Sequence, residues 1–366
     1  MGDLSRCRVL VAHNPVVLDE DDPATADVLT QVSVVEEALA QAGVPCERAV
    51  VTGGRPWESP AIAAAARRAV PSFGGSLRAL RASSDAQRET HRPDGATTVV
   101  FNLVEAPPGV PEVQSGNAAA LELMGIPFTG SGSSMICLTT DKLVTRAVLA
   151  AAGLPVAPGG RLDAGAEVLA RVPPPWIVKP AWEDASVGLE GNPVCATREA
   201  VLARAAVLAE RLPGEPVLVE RFLAGRELNV SLLSRGDVAG VEVLPVAEIA
   251  FVDFPPGVPP FVGFEAKWHT SSFAYTHTLR RFPDEAVDGP FLERARDLAL
   301  AAWQTCGGGE GYGRIDLRAD EEGRLHILEV NANPCIDADA GFMAAAERGG
   351  LTRRDVIARI VAAALR

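Results

Sequence analysis

The sequence predicts an α/β protein, in part α+β, and three observations lead there. RVLVAH (residues 8–13), a helical pattern from about Ala26 to Ala42 closed by Gly43, and VPCERAVV make a strand–helix–strand unit suited to a parallel sheet. Farther on, EPVLVERFLAGRELNVSLLS and GYGRIDLRADEEGRLHILEVN are apolar runs joined by short turns, suited to antiparallel strands. The 366 residues allow two or three separate cores.

The elements follow in order. The acidic loop LDEDD separates the first strand from its helix. From Gly53 to about Ala96, helical pieces alternate with Gly, Pro and Ser breaks, an elaboration of the first domain. TTVVFNLVE is a buried strand, a helix lies around Ser115–Met124, and IPFTG is a short strand, so a parallel-sheet domain ends near Asp141. DKLVTRAVLAAAG is a helix N-capped by Asp141, with Gly153 at its C-terminal end. PPPWIVKPAWEDASVG gives a strand, a loop and a further strand, and a helix spans about Arg198–Arg211. FVDFPPGVPPFVGFEAKWHTSSFAYTHTLRRFP has too many prolines for a core and too many aromatics for a tail, which marks a functional loop or lid. A helix over about Pro290–Cys306, GGGEGYG as a flexible helix end, a hairpin and a closing helix complete the chain.

Composition excludes several classes. A net charge of −13 without a basic stripe argues against a nucleic-acid partner. No apolar run approaches the roughly 20 residues of a membrane span. No signal-peptide pattern precedes the first strand, and six cysteines are scattered without metal-ligand or redox spacing. The expectation is a cytoplasmic protein with reduced thiols.

Among 34 basic residues only Lys142, Lys179 and Lys267 are lysines. Where arginine serves nearly everywhere, three surviving lysines mark positions that need a compact, rotatable ammonium. In the hairpin, EEGR forms a four-residue loop. If Asp320 pairs with Leu325, Asp316 falls opposite Glu329 and Arg314 opposite Asn331, with Ile315, Leu317, Leu328 and Val330 filling the other face. Facing carboxylates repel and call for a cation, and an oxygen set of Asp316, Glu329 and Asn331 suits Mg²⁺ or Mn²⁺. A solvated outer face neutralised by Arg314 is the bland alternative. A metal beside lysines implies a phosphate ligand, and Ser186 and Gly188 after Lys179 can offer backbone N–H groups to it.

These motifs, in this order, resemble the ATP-grasp superfamily and within it the D-alanine–D-alanine ligase branch, from about Val99 onward. The resemblance implies a three-domain architecture. An N-terminal substrate-binding sheet domain (1–141) precedes central (142–226) and C-terminal (227–366) ATP-grasp subdomains that hold ATP between them. It implies nucleotide contacts at Lys142, Lys179, Ser186, Glu220, Phe222, Leu223 and Lys267, with Glu227 on the ribose hydroxyls. Two Mg²⁺ ions on Asp316, Glu329 and Asn331, and Arg314 with Lys267 in catalysis, follow from the same likeness. The implied reaction is ATP-dependent joining of a small carboxylate to an amine through an acyl phosphate, by a protein whose relatives make a homodimer plausible.

Both amino-acid ends depart from the branch. AHNPVVLDEDD lacks its Gly-Gly and Ser-x-Glu element, although Asp19 to Asp22 could meet an amine. PCIDADAGF puts Cys335 in a glycine slot and Ala340 where a serine aligns, with Asp337 and Asp339 expected to cap the next helix. The first of the phosphate loop's paired serines is Ala185. The rival readings are a ligase of the same chemistry for other amino acids or peptides, and a non-catalytic ATP-binding protein switched by its lid. A dinucleotide oxidoreductase fails for want of G-x-G-x-x-G after RVLVAH.

Overall fold

The computed structural model describes residues 4–15, 23–69, 96–107, 109–163, 165–236 and 238–366, the side chains of 23–26 and 67–69 excepted. Three strands, β1 (Cys7–His13), β2 (Cys46–Val50) and β3 (Thr97–Leu103), form a parallel sheet in the order β2–β1–β3. The two-residue period of β1 explains its two cores. Val9 and Val11 pack beneath helix α1 (Pro23–Gln41), whereas Leu10 and Ala12 pack with Leu121 of α3 (Glu112–Leu123). Of the 53–96 stretch, a short helical turn (Pro56–Glu58) and helix α2 (Pro60–Ala69) are described, whereas 70–95 lie outside the described residues, as does the acidic run Asp19 to Asp22. IPFTG is not a strand. It makes a single parallel bridge, Phe128 to Val100, because Pro127 has no N–H to extend the ladder. Helix α4 (Ser133–Thr140) had no sequence signal, and α5 (Lys142–Ala151) follows it directly. Asp141 caps α5, accepting from the N–H groups of Leu143 at 2.8 Å and Val144 at 3.1 Å.

A second, antiparallel sheet has the order β4–β7–β5–β6, from β4 (Gly159–Arg161), β5 (Trp176–Pro180), β6 (Val194–Cys195) and β7 (Val217–Arg221). Val201 and Leu208 of helix α6 (Arg198–Arg211) close its core over Trp176, Val178 and Val219. The third sheet is antiparallel and six-stranded. Its path runs β11 (Thr278–Arg281), β10 (Ala247–Phe251), β8 (Glu227–Ser234), β12 (Tyr312–Ala319), β13 (Leu325–Asn331), with β9 (Val241–Val243) on β8. Only Phe222–Arg226 separates β7 from β8, so the chain passes between sheets within one short link. Gly225 makes the passage feasible: a Cβ there would stand 2.6 Å from the Ala319 carbonyl.

Helix α7 (Glu285–Thr305) buries Leu292, Ala299 and Trp303 on the third sheet. It begins a turn before the expected Pro290, because Asp284 caps it by accepting from Ala286 N–H at 2.9 Å. The proline-rich segment leads into two short helices, α8 (Phe264–Trp268) and α9 (Phe273–His277). The closing helix is two helices, α10 (Gly341–Arg348) and α11 (Arg353–Ala364). Neither Asp337 nor Asp339 caps α10, whose N-cap is Ala340; the Asp337 carboxylate accepts instead from Ala338 N–H at 2.6 Å. Among the described residues no helix is long and apolar enough to cross a membrane.

The hairpin reaches the expected opposition by an unexpected route. Leu325 faces Ala319, one residue off the expected Asp320, and a β-bulge between Asp316 and Leu317 absorbs the difference. Beyond the bulge Asp316 does face Glu329, and Arg314 faces Asn331. The extra residue is Leu328, which is only half-buried, so Ile327 takes its expected place in the core.

Candidate active site

One carboxylate, Glu329, pairs with Lys142 and feels the charge of two further lysines. Lys142 starts α5, Lys179 ends β5, and Lys267 lies on α8, and the charge of each stabilises ionised Glu329. Lys142 Nζ lies 2.9 Å from Glu329 Oε1 and 3.2 Å from Asp184 Oδ1, and donates to the Glu183 carbonyl at 2.7 Å. Burial alone would raise the Glu329 carboxyl, but Lys142 and the other two lysines outweigh it and hold it down at about 2. Burial would lower the Lys142 ammonium, yet Glu329 and Asp184 win and raise it. Lys267 goes the other way. Enclosure by protein and then the charge of Arg314 lower it, against the pull of Glu329, Asp316 and Asp184.

Across the strand pair, Arg314 grips Asp316 with two parallel bonds, Nε to Oδ1 at 2.7 Å and Nη2 to Oδ2 at 2.9 Å. Asn331 and Asn229 also donate to that carboxylate, at 3.1 Å and 2.8 Å. Both facing acids are thus compensated by protein cations, Glu329 by Lys142 and Asp316 by Arg314. Among the described residues no three of His, Cys, Asp and Glu converge as a metal cluster. The hard-oxygen set is two carboxylates and an amide, a donor chemistry that fits Mg²⁺ with water and phosphate completing its shell.

Lys179 Nζ lies 2.8 Å from Glu220 Oε2, and Arg146 Nε lies 3.4 Å from Glu220 Oε1. The Glu220 side chain sits over Gly159, where a Cβ would come within 2.7 Å of it. Phe222 and Leu223, in the link to β8, are buried. Glu227 opens β8, pairs in register with Arg318 of β12, and accepts from its Nη1 at 2.8 Å. Burial raises the Glu227 carboxyl, opposed chiefly by Arg318.

The loop after β5 meets the segment before α8. Ala185 and Ser186 have positive φ of 54° and 66°, so the loop turns sharply here at two non-glycine residues. Ser186 Oγ donates to the Val262 carbonyl at 3.1 Å, and Trp268 Nε1 to the Ala185 carbonyl at 3.2 Å. The predicted phosphate loop and predicted lid are therefore stitched together.

Sequence reasoning singled out neither Asp184, Arg146 nor Arg318, since each acquires its meaning from a partner distant in the chain. It also passed over Asp27, Gln31 and Glu105, which gather beside Cys335. Gln31 donates to Asp27 Oδ2 and to Glu105 Oε1, each at 3.2 Å, and accepts from Ile336 N–H. Cys335 donates its thiol to Asp27 at 3.3 Å, and burial and then Asp27 push the thiol up.

Comparison with known proteins places this geometry. A family model described as D-ala D-ala ligase C-terminus matches residues 157–362. The D-alanine–D-alanine ligase of Gluconobacter oxydans (strain 621H) is 37% identical over 243 residues, 65% of this chain and 71% of that protein. The D-alanine–D-alanine ligase of Chromohalobacter salexigens is 33% identical over 246 residues, 66% of this chain and 70% of that protein. An uncharacterized protein of Sinorhizobium fredii, y4sG, is 29% identical over 253 residues, 69% of this chain and 70% of that protein. The crystal structure of a Bacillus anthracis D-alanine–D-alanine ligase complexed with ATP aligns over 98% of both chains with a TM-score of 0.64 at 15% identity, a likeness of fold. By the span of the family match and the identity to these relatives, the chain belongs to the D-alanine–D-alanine ligase family, with the ATP-grasp fold.

Proposed function

We propose that this chain is an ADP-forming ligase that uses ATP to join a carboxylate to an amine, both small amino-acid-like molecules. The observation that supports the reading most is the Lys142–Glu329 pair facing the Arg314–Asp316 pair across β12 and β13. Lys142, Lys179 and Lys267 hold the ATP phosphates as movable point charges, and Ser186 and its loop cover them. Glu220, Phe222 and Leu223 seat the base, and Glu227 accepts from the ribose hydroxyls. When bound between Asp316, Glu329 and Asn331, Mg²⁺ (two ions in the full site) neutralises charge on the transferring phosphoryl group. The substrate carboxylate takes the γ-phosphoryl group and becomes an acyl phosphate, and the amine then displaces phosphate. Arg314 offers fixed N–H donors where the oxyanion develops, a contact whose loss costs about 3–4 kcal/mol in comparable sites. The lid over Ser186 excludes water from the acyl phosphate.

The division at 141 and 226, a cytoplasmic location, a homodimer and the absence of a nucleic-acid partner are further parts of this proposal. Six scattered cysteines without redox or metal-ligand spacing suit a reducing compartment. A second reading, the same chemistry on amino acids other than D-alanine, is favoured by the Asp27–Gln31–Glu105–Cys335 group at the substrate end. ADP release with Mg²⁺ and D-alanine, beside other amino acids and dipeptides with product masses recorded, separates the two. Asp316→Ala and Glu329→Ala should each abolish amine-dependent ADP release while the circular dichroism spectrum stays native; normal turnover in either would overturn the assignment.

A further inference from the structure

Arg318 lies in a position that an ordinary cross-strand ion pair would not explain. Its side chain is 5% exposed, and its guanidinium joins four parts of the molecule. Nη1 donates to Glu227 Oε2 at 2.8 Å, and Nη2 donates to the Pro260 carbonyl at 2.6 Å. Its planar face lies 4.9 Å from the Phe222 ring centroid and 5.4 Å from that of Phe251. The remaining donor, Nε, is buried without a partner. Phe222 belongs to the link between the second and third sheets, Glu227 opens β8, Phe251 ends β10, and Pro260 lies in the proline-rich segment before α8. A surface ion pair needs none of this. A lysine could not supply it, since only the planar fork reaches a carboxylate and a carbonyl while stacking between rings.

We propose that Arg318 is a positioning residue for ATP: it fixes the Glu227 carboxylate for the ribose and ties the lid segment at Pro260 to the occupied nucleotide pocket. The proposal rests on the reading of Glu227 as the ribose ligand. Arg318 keeps Glu227 charged and aimed, because a carboxylate buried to this degree without its partner takes up a proton and stops accepting from hydroxyls. Through the Pro260 carbonyl the same side chain reports nucleotide occupancy to the segment that meets the phosphate loop.

The test compares ATP with 2′-deoxy-ATP in the full chain, for wild type, Arg318→Met, Arg318→Lys and Glu227→Gln. Arg318→Met should raise the ATP KM at least about tenfold, the loss expected of a charge-assisted hydrogen bond, and lower kcat far less. It should also shrink the preference for ATP over 2′-deoxy-ATP, make the KM fall with rising pH as Glu227 ionises, and speed hydrogen exchange over residues 252–263. Arg318→Lys should restore part of the ribose preference but not the protection of the lid segment. If Arg318→Met keeps the wild-type preference while Glu227→Gln loses it, the positioning role is overturned and the ribose reading stands. If Glu227→Gln keeps the preference, the ribose reading falls and the proposal with it. Should Arg318→Met fail to fold, Arg318→Met/Glu227→Gln removes the unpaired acid. That double variant should then match Glu227→Gln in its preference for ATP over 2′-deoxy-ATP and exchange faster than it over residues 252–263; equal exchange in the two would overturn the proposal.

Discussion

Glu105 is a carboxyl group held against its chemistry. Burial and then the neighbouring Asp27 charge raise it to about 7, with only the Gln31 amide pulling the other way. Below the ordinary carboxyl range it is protonated whether the chain is folded or not, and stability is unaffected. As pH climbs from there to about 7 the unfolded chain ionises first, so the fold loses stability; above that the loss is constant. Glu105→Gln, which keeps an acceptor for Gln31, should therefore stabilise the fold at pH 8 by up to about 3 kcal/mol, with a higher melting temperature, and leave it unchanged at pH 4. Thermal scans of both proteins at the two pH values check this, and an equal gain at both would place the effect elsewhere. None of this was legible in the sequence, because Glu105 acquires its neighbours only when α1 and the Cys335 turn close over it. The lysines were legible for the opposite reason. Their scarcity among arginines is a property of composition, visible before any contact is known.

The strand pair β12–β13 was readable as an element and misread in its detail. Alternation identified which carboxylates face each other, since each strand obeys a two-residue period locally. The bulge was invisible because Leu328 satisfies the apolar pattern as well as Ile327 does, and only packing against Trp303 and its neighbours decides between them. The link Phe222–Arg226 was read as one of several short turns, whereas it carries the chain from one sheet to another. A turn's length shows in sequence; which sheet its second strand joins does not. Gly225→Ala tests how tight that passage is. Its Cβ would meet the Ala319 and Asp320 carbonyls at 2.6 and 2.8 Å, so the backbone must shift. Urea unfolding should show a loss of about 1–3 kcal/mol, with a higher ATP KM as Phe222 and Glu227 move with it. An unchanged midpoint would mean the link is slack.

Across the whole molecule, three sheets do not mean three independent cores. Val356, Ile357, Ile360 and Val361 of α11 lie in the same apolar cluster as Val9, Val11, Val32 and Val35 of the first sheet and its helix. Sequence periodicity identified a closing helix but gave no hint of what it covers, since an apolar stripe does not name its partner. Ile360 is fully buried there. Ile360→Ala should cost about 2–5 kcal/mol and speed hydrogen exchange in β1 and β3, although no contact near the lysines is touched. Exchange changes confined to residues 341–364 would show the helix to be a separate layer. The shared cluster also orders events during synthesis. When β1, α1 and β3 leave the ribosome, Val9 and Val11 have only α1 over them, and the rest of their cluster is encoded near the other end of the sequence. The first sheet must wait, partly exposed to chaperones, until translation delivers the helix that seals it.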